Sequence, residues 1–108
     1  MKTYQESVAA LLKNDDDIHL VAGLAAECGE VCGLFQKASY KSIPIDLEDL
    51  TEELGDILFY VAAIADKHLN FDLEYLQRKN VEKLKRRHDL KIIHRHVEEA
   101  LKETDSGC

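Results

Sequence analysis

Pro44 is the only proline in this 108-residue chain, and only five residues are glycine. On both sides of Pro44 apolar residues recur every three or four positions, the spacing of one helical face rather than the alternation of a strand. With so little turn chemistry available for hairpins, the pattern predicts an all-α fold. We expect an antiparallel helical bundle of about four core helices plus a C-terminal helix. The length suits one domain over residues 1–108 with a single modest core, placed at about 18–88, and a helical tail at 89–104.

The first helix is predicted over "TYQESVAALLK", with Tyr4, Val8, Leu11 and Leu12 on one face. The "NDDD" stretch at 14–17 offers N-caps for a second helix, whose apolar face runs through Leu20, Val21, Leu24, Cys28, Val31, Cys32 and Phe35. That helix should end near Tyr40, because Pro44 blocks helix and disfavours it at Ile43. Asp46 then reads as the N-cap of a third helix, with Glu48 and Asp49 near the positive end of its dipole. Its core stripe comprises Leu47, Leu50, Leu54, Ile57, Leu58, Val61 and Ile64. After Gly55 this helix is apolar on nearly every side, and a chain this small cannot wrap one of its own helices completely. Oligomerisation through the third helix is therefore expected, as a homodimer or a homotetramer (a dimer of dimers). "NFD" at 70–72 should break the chain, with Asp72 capping a fourth helix that carries Leu73, Leu76, Asn80, Val81 and Leu84 inward. Leu90, Ile93, Val97 and Leu101 predict a separate amphipathic tail helix, fraying over "KETDSGC".

The formal net charge is −7, distributed unevenly. Residues 1–76 hold 15 acids and 5 bases, while residues 77–96 hold 8 bases and 2 acids. The acidic body disfavours a nucleic-acid polymer, and a small anion held between the basic segment and an acid-bound cation fits the asymmetry better. No apolar stretch approaches the roughly 20 residues that span a bilayer, and residues 1–6 lack a secretory pattern. The chain reads as cytoplasmic, with no membrane partner. Cys28, Cys32 and Cys108 make no disulfide framework, and the first two read as small reduced core residues.

Four acids interrupt the apolar stripes. Glu27 and Glu30 stand three apart on the second helix, and Glu53 and Asp56 three apart on the third, so each pair points one way. If the two helices are antiparallel neighbours, the pairs converge, and like charges crowded against a core need compensation. A divalent cation supplies it, and all-oxygen ligands favour Mg²⁺ or Mn²⁺. No Glu has a histidine three residues later, as the Glu-x-x-His pairs of a di-iron bundle require, and no calcium-binding loop pattern occurs.

"GLAAECGEVCGLFQK", "DLEDLTEELGDILFYVAAIAD" and "NVEKLKRRH" together resemble the MazG-like members of the all-α nucleoside triphosphate pyrophosphatase superfamily. The hallmark is Glu-x-x-Glu, a spacer, then Glu-x-x-Asp; here Glu27-x-x-Glu30 is followed after 22 residues by Glu53-x-x-Asp56. The resemblance covers about residues 18–88. It implies a Mg²⁺-dependent hydrolase that converts a nucleoside triphosphate to the monophosphate and pyrophosphate, in a house-cleaning or pool-controlling role. By position, Glu27, Glu30, Glu53 and Asp56 would hold the metal, with Glu30 or Glu53 also serving as general base. Asn80 and Lys83 would face the triphosphate. Lys83 and Arg86 would stabilise the leaving pyrophosphate, and Lys37 would reach phosphates from the end of the second helix. The chain has no Trp, so stacking on a base would fall to Phe35, Tyr40 or Tyr60. The rival expectations are a dUTP- or phosphoribosyl-ATP-selective relative, and a non-catalytic helical oligomer that binds nucleotide or metal.

Overall fold

The computed structural model describes residues 3–70 and 72–106. Among them every regular element is helical: α1 (Tyr4–Leu11), α2 (Asp17–Lys41), α3 (Leu47–Ile64), a π-helical turn (Ala65–Leu69) and α4 (Leu73–Ser106). The all-α expectation holds.

Local hydrogen bonds fix where the first three helices begin. Thr3 Oγ1 accepts from the Glu6 N–H at 3.1 Å, and Asp16 Oδ1 accepts from Ile18 and His19 at 2.9 and 3.3 Å. Asn14 in turn accepts from the Asp16 N–H, so Asp16 is the cap that the "NDDD" stretch provides. Asp46 Oδ1 accepts from Glu48 and Asp49 at 3.0 and 3.1 Å, as its position before Leu47 predicts. Helix α2 stops where Ser42 turns left-handed at φ 53°, its N–H returning to the carbonyls of Ala38 and Ser39. Pro44 then keeps the chain extended until Asp46 restarts it.

The chain divides into two compact units, one ending at Leu73 and one beginning at Glu74. In the first, α2 and α3 are antiparallel neighbours. The His19 ring meets the edge of Tyr60 at 6.2 Å near one end, and Ala38 shares a cleft with Asp46 and Asp49 at the other. At Gly23 the Tyr60 ring of α3 lies against the α2 backbone, where a Cβ would be 2.5 Å from Tyr60 Cε1 and 2.8 Å from its hydroxyl oxygen. Helix α1 lies against α3. Val8, Leu20, Ala62 and Ala63 form the core, with Leu12, Phe59, Tyr60 and Ile64 packed on it. Gln5 Nε2 donates to the Ala62 carbonyl at 2.8 Å.

A second contact set closes the far end of the hairpin. The π-helical turn ends at Asn70, left-handed at φ 52°. It presents Lys67 Nζ and His68 Nε2 to the same oxygen, Asp17 Oδ1, at 2.8 and 2.6 Å. Lys67 also donates to the Asp15 carbonyl. The turn therefore ties the end of α3 to the start of α2.

The second unit is α4, 34 residues in one continuous helix. The expected division into a fourth helix and a tail helix is corrected. The junction "KRRHDLK" contains neither Gly nor Pro, so nothing interrupts the hydrogen-bond ladder there. Of the expected break at 70–72, Phe71 lies outside the described residues, as does Cys108.

The core is smaller than the apolar stripes implied. Cys28 and Cys32 are free and exposed, against the expectation of core thiols. Val21, Phe35, Leu47, Leu54 and Leu58, all assigned to core faces, are exposed as well. These positions lie on apolar faces, but the three helices of this unit bury only the part nearest Leu20 and Ala62. Length and composition alone would let α2 cross a bilayer, which corrects the expectation that no stretch does. Its mid-helix Glu27 and Glu30 argue against lipid contact, since a charge at a bilayer centre costs about 3 kcal/mol on insertion scales.

Candidate metal centre

The antiparallel hairpin brings Glu27, Glu30 and Glu53 together midway along its length. One carboxylate oxygen each from Glu27, Glu30 and Glu53 lies within 4.8 Å of the others. Glu27 and Glu30 reach this point because three residues return an α-helix to nearly the same face. Glu53 meets them from α3. Glu27 and Glu53 are half-buried, and Glu30 is exposed.

Two oxygens at this site, Glu27 Oε2 and Glu53 Oε2, are shielded from solvent and have no hydrogen-bond donor. A shielded carboxylate oxygen without a partner is costly to keep ionised. The crowding appears in the proton affinities. The neighbouring Glu53 carboxylate, close enough to share a proton and repelling by its charge, lifts Glu30 above the usual glutamate value of 4.5. Partial desolvation and Asp56 add to this, while a hydrogen bond with Glu27 opposes it. Glu53 is lifted in turn, first by the hydrogen bond shared with Glu27, then by desolvation and the charges of Glu27 and Asp56, with Glu30 opposing.

Asp56 stands outside the tight triad and is exposed, one turn beyond Glu53. Its charge still reaches Glu30 and Glu53 and also Tyr4, whose phenol is raised above 10.0 by partial burial and then by Asp56. Tyr4 is a neighbour of the acids that the sequence did not single out for the site. Tyr4 is a helix-face apolar residue by spacing, and nothing local announces that α1 lies against α3 near Asp56.

The donor set fits a hard divalent cation. It offers only carboxylate oxygens, two of them shielded and lacking donors, and no imidazole or thiolate. Farther along the same hairpin, toward its loop, lies a cleft of about 420 Å³. Leu34, Ile43, Pro44 and Ile45 give it apolar walls, and Lys37, Asp46 and Asp49 are its charged members. Leu34 follows Glu30 by one helical turn and Asp49 precedes Glu53 by one, so the cleft begins about 6 Å along the helix axis from the acids. Lys37 thus lies on the cleft side of the site. Asn80, Lys83 and Arg86 are exposed on α4, in the second unit, spaced by three residues and so on neighbouring turns.

An all-α protein with carboxylates converging between two antiparallel helices is the class that fold and site define. The family model for the MazG nucleotide pyrophosphohydrolase domain matches residues 15–92, which include both acid pairs and Asn80 through Arg86, and the chain belongs to that family. Comparison with curated proteins gave no match, and neither did comparison with solved structures.

Proposed function

We propose that this protein is a Mg²⁺-dependent nucleoside triphosphate pyrophosphohydrolase that releases a nucleoside monophosphate and pyrophosphate, with Mn²⁺ able to replace Mg²⁺. The observation that carries the reading is the triad of Glu27, Glu30 and Glu53 with its two shielded, donorless oxygens. Membership of the MazG family supports it. When bound, the metal would neutralise charge on the phosphate oxygens and make a water more acidic.

The chain's own residues divide the remaining work. Glu27 and Glu53 point shielded oxygens inward and serve as metal holders, with Asp56 completing the set from the next turn. Glu30, the exposed member, takes the proton of the water that attacks in line with the scissile phosphoanhydride. Lys83 and Arg86 neutralise the departing pyrophosphate, Asn80 orients the triphosphate, and Lys37 meets it from the cleft side. The cleft bounded by Leu34, Ile43 and Pro44 takes the nucleoside, within the size range of small-ligand sites. The exposed faces of Leu54 and Leu58 on α3 support the homo-oligomer, dimer or tetramer, that the third helix predicts. A house-cleaning role in the cytoplasm completes the proposal.

The test is pyrophosphate release from a panel of ribo- and deoxyribonucleoside triphosphates, with Mg²⁺ and with EDTA. We expect metal-dependent turnover that Glu53→Gln lowers at least about 100-fold, as loss of a group essential to the chemistry does, with helical content unchanged. Turnover retained by Glu53→Gln would refute the site. No release from any member of the panel would favour a binding-only oligomer or a dedicated relative's substrate.

A further inference from the structure

We infer that the C-terminal half of α4 is a docking segment that pairs antiparallel with the same segment of a second copy of this chain. Leu90, Ile93, Val97 and Leu101 recur at helical spacing and are 64%, 58%, 52% and 60% exposed. At 100° per residue this stripe is turned about 90° around the helix from the face that carries Leu73, Leu76 and Asn80. A surface that covers the first face therefore leaves the second open. The family match ends at residue 92, so Ile93, Val97 and Leu101 lie beyond the matched residues.

Charge selects the occupant and its direction. Upstream of the stripe's midpoint the helix is basic, with Lys83, Lys85, Arg86, Arg87, Lys91 and Arg95 against Asp89. Downstream it is acidic, with Glu98, Glu99, Glu103 and Asp105 against Lys102. A parallel pair would lay like charges side by side, whereas an antiparallel pair sets the basic half of each copy against the acidic half of the other. Aligning the apolar residues gives the register: Ile93 opposite Val97 of the other copy, which sets Leu90 one residue from Leu101. In that register Lys91 falls within one residue of Glu98 on the same flank. The His94–Glu98 contact at 3.0 Å lies within one helix and leaves the apolar stripe uncovered.

The experiment uses the full chain with its native cysteines changed to serine, and mild oxidation as the probe. A mixture of L90C chains and L101C chains should form a disulfide-linked dimer between unlike chains, while L90C alone should not. Linkage of L90C to itself would overturn the antiparallel direction, and no linkage in either sample would overturn the pairing. Amide hydrogen exchange supplies a second readout. Residues 90–103 should be protected in the wild-type chain, more so at higher protein concentration, and Ile93→Asp should remove that protection with α2 and α3 unchanged. Fast exchange over 90–103 in the wild-type chain at every concentration would also overturn it.

Discussion

Single residues set the chemistry of the carboxylate site, and their proton affinities give its pH behaviour. Glu30 and Glu53 hold protons more tightly in the folded chain than their ordinary value of 4.5, because carboxylates crowd them. The folded state thus binds more protons than the unfolded state just above that value. Metal-free protein should gain stability as pH falls from neutrality through the raised values toward 4.5, and lose that gain as pH rises. A divalent cation competes with those protons, so the increase in melting temperature on adding Mn²⁺ should shrink over the same descent. Melting curves with Mn²⁺ and with EDTA between pH 8 and pH 5 check both trends. Glu30→Gln should raise the metal-free melting temperature by removing repulsion and reduce the Mn²⁺-induced increase. Another residue-scale prediction concerns close packing. Gly23→Ala would drive a methyl into the Tyr60 ring and should cost about 1–3 kcal/mol in denaturant unfolding. The acid pairs were legible in the sequence because residues three apart on a helix share a face. The Gly23–Tyr60 contact was not, because it depends on how two helices align across space.

At the scale of elements, caps explain most of what the sequence predicted well. Asp16 and Asp46 bond to N–H groups two and three residues on, so their roles follow from local sequence alone. Asp46→Ala should therefore destabilise the protein by about 1 kcal/mol, measured as a lowered denaturant midpoint. The π-helical turn is different: Ala65–Leu69 carries no local signal that separates it from a continuing α-helix. Its place is marked by Lys67 and His68 reaching Asp17, about fifty residues earlier in the chain. That contact holds Asp17 below its ordinary 3.8, through Lys67 first and His68 second. The lowered value means that the clamp contributes above about pH 3.8 and is lost as pH falls through the depressed value. Asp17→Asn should speed amide exchange at 65–70 at neutral pH while exchange in the middle of α2 stays slow. The continuity of α4 also escaped the sequence reading, because a change in the direction of the apolar stripe resembles a new helix when read from spacing alone.

For the whole molecule, the apolar faces were legible but what covers them was not. Periodicity marks Val21, Cys28, Phe35 and Leu58 as apolar-face positions, yet in the single chain they are exposed. A stripe states that a face needs cover and is silent on whether the same chain provides it. The described residues bury a core made largely of alanines, with Leu20 the largest fully buried side chain. So small a core is marginal for a chain of this size. Sedimentation at micromolar concentration should therefore show a species larger than 12.3 kDa, and Leu58→Asp should shift it to a smaller species, reaching the monomer mass only when Ile93→Asp is added. A single monomeric species for the wild-type chain would refute oligomerisation through α3. The two ends of the α2–α3 hairpin are secured by unrelated means: the Asp17 clamp at one end, and the Ser42 turn with the Asp46 cap at the other. The acids lie between them. Residues 43–45 thus stand outside both the clamp and the acids, so under the proposed function variation there would change which nucleoside the cleft takes while leaving the carboxylates in place. The same reading makes ligand preference and metal holding separable, each carried by its own stretch of the hairpin.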